Sequence, residues 1–385
     1  MKLNSPDIDG LLERHIATHR SDIGVHATCC AIQAAVGTLD DDLYCGAFGK
    51  IDLESSDSDH VNHSTSFDVA SITKALVGAT LAMQAVDEGR VLWQTPVVEL
   101  FPRWSENPHP DSDTLTFLQL LNHTSGLPDW HPFYEAHRLD PTPEQAAQAR
   151  RDILKNIVDT PLKAPPGERH IYSDLGYILL TRLLESLFDD VSLSLLARDR
   201  IFRPLGLDHT RYLDCPQLSD RIDGAAATED CPRRGRVVQG TVHDRNTNVL
   251  GGVSAHAGVF STAEDLLRFG RHLLAIDCGH PVKDPLVSRD TLRFAWSPDA
   301  GSPTGHHVGG WDTPSGERSN AGRGFHPDHT VGHLGFTGTS LWIERRHKVV
   351  SVLLTNRTYP SRDNERIRQL RIEFQESILP PPTSP

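Results

Sequence analysis

The chain has 385 residues, of which 38% are hydrophobic, so it is long enough to bury a large core and does not have the composition of a disordered protein. It carries 38 Lys and Arg against 51 Asp and Glu, a formal net charge of −13, and these charges are scattered along the chain. This composition argues against a nucleic-acid-binding protein, because the sequence has no basic stripe and no aromatic-studded groove.

The N-terminal sequence lacks the features of an export signal. Residues 1–7 do not place an apolar stretch after a charged one, and no window reaches the roughly 18 apolar residues that a membrane span requires. We therefore expect a cytoplasmic protein that contacts no membrane.

The first elements predicted are a helix and a β-hairpin. Ser5 suits a helix N-cap and Pro6 suits the first helical position, and the helix is expected to end near Gly24. Small, apolar and β-branched residues at 27–36 and a second such run at 43–49 flank a polar turn, which is typical of a hairpin.

The stretch 67–74 brings a serine, Ser71, and then a lysine, Lys74, three residues later. At the start of a helix the two side chains share one face, close enough to exchange a proton. A serine hydroxyl becomes a nucleophile when a base takes its proton, and burial favours the uncharged, basic form of a lysine. Residues 75–86 are apolar or small on nearly every side and predict a buried helix that ends at Gly89. The alternative makes Ser71 an N-cap and Lys74 a helix-end charge.

Helix signals dominate from about residue 91 to residue 275. Capping motifs begin at Thr116, Thr142 and Ser261, and a leucine-rich segment predicts a further helix that ends at Leu187.

The C-terminal part returns to a strand pattern. The β-rich runs 333–344 and 349–356 flank the charged turn 345–348, which predicts an antiparallel hairpin, and residues 363–378 predict a closing helix. We therefore expect an α+β fold, with one antiparallel sheet built from both chain ends and flanked by helices.

The expected organisation is a single domain, 1–385, with two parts. Residues 1–65 and 285–385 are predicted to form the sheet subdomain, and residues 66–284 an inserted, mainly helical subdomain.

Other residues supply what a reacting serine needs. Tyr172 lies on a turn before a helix, where its phenol could carry a second proton beside an ammonium. Asp174 is either the N-cap of that helix or a direct participant. Gly335 is expected to let a substrate approach the backbone, so that the N–H of Phe336 joins that of Ser71 as an oxyanion hole.

Taken together, the sequence resembles the serine β-lactamase and penicillin-binding-protein superfamily, in particular its class C-like and esterase branches. The motifs that carry the resemblance span about residues 23–356 and occur in this order: Ser71-Ile72-Thr73-Lys74, His123-Thr124-Ser125-Gly126-Leu127, Pro166-Gly167, Tyr172-Ser173-Asp174, Leu205-Gly206-Leu207, Gly251-Gly252 and His333-Leu334-Gly335. The resemblance implies a β-lactamase/transpeptidase-like fold and an acyl-enzyme on Ser71, with Lys74 and Tyr172 as the proton-transfer pair.

Three positions depart from the motifs of that superfamily. Asp174 stands where an amide is usual, and His333 and Leu334 stand where the K-T-G strand has a lysine and a hydroxyl residue. These changes weaken recognition of a carboxylate, so we expect an esterase or amidase acting on small uncharged acyl groups. A D-alanyl-D-alanine carboxypeptidase or a β-lactamase is the alternative, since an arginine such as Arg357 could restore carboxylate binding.

Three rival interpretations stay open. Ser254 lies in Gly252-Val253-Ser254-Ala255-His256, which approaches the G-x-S-x-G elbow of another hydrolase fold but lacks its last glycine. The protein could instead be a penicillin-recognising sensor that is acylated without turnover.

The third rival interpretation is a metallohydrolase that uses a histidine-rich loop. The loop contains His306, His307, His326, His329 and His333, but these have no regular ligand spacing. We expect solvated loop histidines, no metal and no cofactor, and the sequence leaves the oligomeric state open.

Overall fold

The computed structural model describes residues 2–54, 59–215, 220–301, 305–316 and 319–381. Within these residues the strands are β1 Ala31–Gly37, β2 Asp42–Gly49, β3 Phe67–Asp68, β4 Arg211–Tyr212, β5 Ala227–Cys231, β6 Arg236–Gln239, β7 Val259–Ser261, β8 His307–Val308, β9 Trp311–Asp312, β10 Thr330–Leu334, β11 Ser340–Glu344 and β12 Val349–Thr355.

The helices of the same residues are α1 Ser5–Glu13, α2 Thr80–Asp87, α3 Val97–Leu100, α4 Phe117–Leu121, α5 Pro143–Asp159, α6 Asp174–Leu187, α7 Leu193–Ala197, α8 Arg203–Leu205, α9 Arg245–Val249, α10 Ala263–Cys278, α11 Arg289–Ala295 and α12 Ile367–Ile378. Two π-helical segments, Lys74–Ala79 and Arg198–Phe202, run into α2 and α8. Short 3₁₀ turns lie at Arg20–Asp22, Pro102–Glu106, Ser112–Thr114, Phe133–Ala136, Pro298–Ala300 and Pro327–His329. None of these described helices is both long enough and apolar enough to cross a bilayer.

The central element is an antiparallel sheet of seven strands among the described residues, in the order β2-β1-β12-β11-β10-β9-β8. The N-terminal strand β1 pairs with the C-terminal strand β12, from Ile32 opposite Thr355 to Gly37 opposite Val350. The predicted α+β fold with one sheet built from both chain ends is therefore confirmed. The subdomain boundaries at 65 and 285 stay a prediction.

Helices cover both faces of this sheet because successive side chains of a strand point to opposite sides. On one face α10 packs over β1, β11 and β12. Gly270 of α10 lies so close to the sheet that a Cβ atom there would be 2.6 Å from Val350 Cγ1. On the other face α1 and α12 form a second apolar cluster, in which Leu12 and Phe374 meet Trp342 of the sheet.

Two terminal elements differ from the prediction. Helix α1 is capped by Asn4 rather than Ser5 and ends at Glu13, well before Gly24. The apolar spacing continues to Ile16, but there the chain leaves the helix and Ile16 forms an isolated bridge to Cys29. The closing helix α12 begins at Ile367 and not at residue 363.

The run 333–344 is two strands and not one. Strand β10 ends at Leu334, a tight turn follows, and β11 begins at Ser340. The turn needs glycine at Gly338, whose φ of +103° is open to few other residues. The predicted hairpin between the last two strands is confirmed as β11 and β12, with Ser340 opposite Leu353.

The helix that follows Ser71 is buried along its length, as predicted. All residues from Lys74 to Ala85 are buried, and Gly89 follows the helix with φ +67°, in the place of a C′ glycine. The π-helical turns at its start were not predicted. Such turns occur often at functional sites.

Candidate active site

A cavity of about 740 Å³ opens beside the start of the helix at Ser71. Six of the seven site residues predicted from the sequence line it, namely Ser71, Tyr172, Asp174, His333, Gly335 and Phe336. The seventh, Lys74, is fully buried and its Nζ donates a hydrogen bond to Ser71 Oγ at 3.0 Å. Residues more than 250 positions apart in the chain therefore meet in one site.

Ser71 follows a strained turn. Ala70 has φ +48°, a conformation that costs a residue with a side chain about 1 kcal/mol or more. The buried carboxylate of Asp68 stabilises this turn, since it accepts the N–H of Ala70 at 2.9 Å and that of His243 at 2.7 Å. Burial raises the pKa of Asp68 to about 6. The sequence analysis did not single out Asp68.

Lys74 has three oxygen neighbours for its three N–H bonds. Beside Ser71 Oγ, its Nζ donates to the carbonyl of His256 at 3.1 Å and lies 2.8 Å from Asp174 Oδ1. This surrounding suits an ammonium group fixed in one position.

The charge state of Lys74 is opposite to the expectation. Burial is the largest single influence and lowers its pKa, but the charge of Asp174, the interaction with Tyr172 and the hydrogen bonds to both together outweigh burial, and the pKa of Lys74 lies above its ordinary value. Lys74 therefore holds its proton more strongly than an ordinary lysine, and its role as the base stays a prediction.

Tyr172, just before α6, lies over Lys74, with the lysine Nζ 4.9 Å from the centre of the phenol ring. The loop after α4 holds the Tyr172 segment in this position. In this loop His123 has φ +58°, its carbonyl accepts the N–H of Ile171, and its Nδ1 accepts the N–H of Ser173. The His123 ring also lies 4.2 Å from the Tyr172 ring. Burial of the hydroxyl raises the pKa of Tyr172, against the opposing charge of Lys74.

Asp174 is not an N-cap. Ser173 caps α6, because its Oγ accepts the N–H of Gly176 at 3.2 Å, and Asp174 is the first helical residue. Its carboxylate turns toward Lys74 instead. Of the two roles left open for Asp174, the structure therefore excludes the N-cap, and the carboxylate lies in the candidate site.

Two backbone amides face the same region. Within the described residues, neither the N–H of Ser71 nor that of Phe336 donates to another protein group, as an oxyanion hole requires. The turn that carries Phe336 is tied to the strand before Ser71 by Thr337, which donates to the carbonyl of Asp68 at 2.7 Å, and by Thr339, which donates to that of Val69 at 3.0 Å.

Gly335 has a packing role that was not expected. A Cβ atom at this position would lie 2.5 Å from the carbonyl oxygen of Val69 and 2.0 Å from Thr339 Oγ1. Glycine is needed here so that the turn after β10 can pack against the segment before Ser71. Gly335 also lines the cavity, and the expected approach of a substrate to its backbone stays a prediction.

His333 is uncharged at neutral pH. Its Nδ1 bonds the carbonyl of Leu334 at 2.8 Å, and burial, with the nearby charge of Lys74, lowers its pKa to about 3. Neither His333 nor the apolar Leu334 supplies a positive charge to a substrate.

Two arginines bring positive charge into the cavity instead. Within the described residues, neither Arg357 nor Arg371 has a carboxylate within ion-pair distance, and both bond mainly to backbone carbonyls. Arg357 lies 4.4 Å from the ring centre of Phe336. Burial and the neighbouring charge of Arg357 lower the pKa of Arg371 to about 9. The two guanidinium groups would gain from an anion between them.

A group of histidines lines the same cavity, and one of them, His307, has its ring centroid 5.7 Å from that of Tyr172. His306 and His307 of the histidine-rich loop meet His170, from the segment before Tyr172. His170 Nε2 and His307 Nδ1 are 3.0 Å apart. The sequence analysis missed this group because His170 is 136 residues from the loop, whereas His326 and His329 lie elsewhere, near each other.

The rival nucleophile Ser254 is inaccessible. It has no exposed surface, and its Oγ lies 2.7 Å from Nδ1 of His256, whose Nε2 faces Asp244 at 3.0 Å. Ser254 is not among the residues that line the cavity. The chain of bonds fixes the backbone of His256, and the carbonyl of that residue accepts from Lys74.

Comparisons with known proteins show the family of the chain. The family model described as Beta-lactamase matches residues 32–376. Over 315 residues the chain is 29% identical to an N-acetylmuramyl-L-alanine amidase of Bacillus subtilis, covering 77% of this chain and 68% of that protein. It is 28% identical over 346 residues to a provisionally assigned D-alanyl-D-alanine carboxypeptidase of Salmonella paratyphi B, covering 83% and 75%.

The fold is also that of known hydrolases. The structure of EstCE1, a hydrolase with promiscuous acyltransferase activity, superposes with a TM-score of 0.71 over 97% of each chain at 17% identity. The chain therefore belongs to the β-lactamase family of serine hydrolases, and the resemblance noted in the sequence is confirmed.

Proposed function

We propose that the protein hydrolyses small esters or amides through an acyl-enzyme on Ser71. One observation carries the proposal: Ser71 Oγ, at the edge of the cavity, is 3.0 Å from Lys74 Nζ, with Tyr172 and Asp174 around the same nitrogen. Among the described residues, the backbone amides of Ser71 and Phe336, both in the cavity lining, have no protein acceptor.

In the first half-reaction Ser71 Oγ bonds to the acyl carbon, and its proton passes into the group formed by Lys74, Tyr172 and Asp174. The amides of Ser71 and Phe336 bind the negative carbonyl oxygen. The bond to the leaving alcohol or amine then breaks, and Tyr172, which lines the cavity beside Lys74, gives that group a proton. Water attacks the acyl-enzyme in the second half-reaction and releases Ser71.

A neutral substrate is favoured by the strand at His333. An uncharged histidine and an apolar leucine give no charge-assisted hydrogen bond to a carboxylate, and each such bond is worth about 1.5–3 kcal/mol. The carboxylate of Asp174 further disfavours an anion near Lys74. A neutral ester meets neither disadvantage.

A second candidate is a carboxypeptidase or amidase acting on a peptide with a free carboxylate. The unpaired guanidinium groups of Arg357 and Arg371 in the cavity favour it. The names of the two bacterial relatives favour it as well.

The test compares kcat/KM for a p-nitrophenyl ester of a short acid, nitrocefin and a D-alanyl-D-alanine peptide on one preparation. We expect the ester to be the best substrate. A peptide or lactam value well above the ester value would select the second candidate. Stoichiometric acylation of Ser71 without turnover on any of the three would identify the protein as a sensor.

A further inference from the structure

The geometry points to a binding site for a divalent transition-metal ion, of the zinc type, formed by His170, His306 and His307 beside the cavity. The ligating nitrogens of these three side chains all lie within 4.8 Å of one another. Imidazole nitrogens are ligands that Zn²⁺, Co²⁺, Ni²⁺ and Cu²⁺ accept readily.

The ligand atoms can be assigned from the hydrogen bonds. His170 Nε2 and His307 Nδ1 face each other at 3.0 Å, so that a single proton lies between them. A metal ion can replace that proton and bind both nitrogens if the two rings move slightly apart. The rings of His306 and His170 have centroids 4.8 Å apart, which brings the third ligand to the same place.

Asp312 is hydrogen-bonded to the ring nitrogen of His306 that the ion would not use. Its Oδ1 lies 2.7 Å from Nδ1 of His306, which leaves Nε2 of that ring to bind the ion. A carboxylate bonded to the far nitrogen of a metal-binding histidine fixes its tautomer and its orientation, and this partner is usual in zinc sites.

A fourth histidine, His333, lies near this group. His333 is 2% exposed, and because its Nδ1 bonds the carbonyl of Leu334, its Nε2 carries a lone pair. Within the described residues this Nε2 has no partner, and the His333 ring centroid is 6.0 Å from that of His307. An unpartnered buried acceptor is costly, and a cation or a water bound to it would offset the cost.

The ion would join two parts of the cavity wall. His306 and His307 belong to the β8 region, while His170 lies two residues before Tyr172. Metal binding therefore fastens the Tyr172 segment to the edge of the sheet and leaves a coordination position open to the cavity. This site does not depend on the acyl-enzyme proposal.

The test measures metal binding to the full-length protein after dialysis against a chelator. Zn²⁺ is titrated by calorimetry and thermal unfolding, and Co²⁺ by visible absorption. We expect one Zn²⁺ per chain, an unfolding temperature that rises with Zn²⁺, and a Co²⁺ spectrum of nitrogen ligands without a thiolate charge-transfer band.

Substitutions of the proposed ligands test where the ion binds. His306→Ala and His170→Ala should abolish stoichiometric binding, and Asp312→Asn should weaken it by about 10–100-fold. The side chain of His306 is 41% exposed, so its removal is compatible with folding, which circular dichroism checks.

The matched control is His63→Ala, which removes a ligand from the exposed group of Cys45, His63 and Glu264. It should bind Zn²⁺ as the wild type does. Loss of binding in His63→Ala, unchanged binding in His306→Ala, or weak non-stoichiometric binding by the wild type would each overturn the proposal. In the last case the contact between His170 and His307 is a simple hydrogen bond.

Discussion

Asp174 Oδ1 lies 2.8 Å from Nζ of Lys74, in the position where related motifs have an uncharged amide. Among the groups that raise the pKa of Lys74, against the larger effect of complete burial, this carboxylate contributes most, and together they keep Lys74 an ammonium. A serine bonded to an ammonium has no ready base, so the site must lose a proton before it reacts.

The first prediction concerns this proton. Asp174→Asn removes the charge that raises the pKa of Lys74 and leaves burial, which lowers it. The neutral amine is then populated at lower pH. We expect the rising limb of the profile of kcat/KM against pH to move to lower pH in Asp174→Asn, as measured with a neutral ester.

Asp129→Asn is the control, because it removes a nearby but exposed carboxylate whose ion-pair partner is Lys163. Its profile should match that of the wild type. A profile of Asp174→Asn that is unmoved, or moved to higher pH, would show that Asp174 does not set the protonation of Lys74.

The second prediction identifies the nucleophile. Brief exposure to a p-nitrophenyl ester should leave an acyl group on the peptide that contains Ser71, detected by mass spectrometry after rapid acid quenching. Ser71→Ala should form no adduct, whereas Ser254→Ala should still form it on Ser71, since Ser254 has no exposed surface. An adduct on Ser254 would refute the assignment.

The third prediction compares two phenols near Lys74. The ring centres of Tyr172 and Tyr177 lie 4.9 and 5.5 Å from its Nζ, but the hydroxyl of Tyr177 donates to the carbonyl of Leu121. Tyr172→Phe should lower kcat by roughly 10²–10⁴-fold, the usual effect of one acid–base group.

Tyr177→Phe should instead lower the free energy of unfolding by about 0.5–1.5 kcal/mol and change kcat little. Urea denaturation and steady-state kinetics on both variants make the comparison. Near wild-type turnover of a folded Tyr172→Phe protein would mean that Tyr172 is structural.

Much of the fold could be predicted because local signals and burial agree. The strands β1 and β12 lie where continuous apolar and β-branched runs placed them, and both are buried at every residue. The capping residues Thr116 and Thr142 also lie where they were predicted. Failures occurred where a turn interrupts an apolar run, as between β10 and β11. There the close packing of Gly335 against Val69 determines where the turn forms, and that contact joins residues 266 positions apart.

The sequence predicted which residues lie together in the candidate site, but it did not predict their charge states. Ser71, Lys74 and Tyr172 are separated by motif spacings that a sequence shows. The charge of Lys74 depends on the distance to Asp174, and the group around His170 depends on which loops meet. Both are properties of tertiary packing, which no local pattern contains.

The fourth prediction concerns Thr339, whose hydroxyl joins the turn of Phe336 to the segment before Ser71. Thr339→Val keeps the shape and leaves the carbonyl of Val69 without this donor. We expect the free energy of unfolding to fall by about 1–3 kcal/mol. We also expect kcat to fall with little change in KM, because the two oxyanion amides lose their fixed separation.

Thr355→Val is the matched control. Its hydroxyl donates to the carbonyl of Gly338 in the same turn but does not reach the segment before Ser71. It should lose stability and keep kcat. Equal losses of kcat in both variants would show that the turn acts only through overall stability.

The fifth prediction separates the two substrate classes by charge alone. A D-alanyl-D-alanine peptide and its methyl ester share the scissile amide and differ in the terminal carboxylate, and chromatography of the released D-alanine or D-alanine methyl ester counts cleavage of that amide alone. If Arg357 and Arg371 bind a carboxylate, the free acid will have the higher kcat/KM, and Arg357→Gln will reduce that value while sparing the methyl ester. Arg357 is the better position to change, because its side chain makes one bond to the turn, from Nε to the carbonyl of Phe336, whereas Arg371 donates to the carbonyls of both Gly335 and Thr339.

With a neutral acyl substrate as the proposed class, we expect the methyl ester to be at least as good a substrate as the free acid. We also expect the p-nitrophenyl ester to exceed both and Arg357→Gln to change none of the three by more than a few-fold. A preference for the free acid that disappears in Arg357→Gln would contradict this expectation and make the arginine pair the carboxylate site of a peptidase.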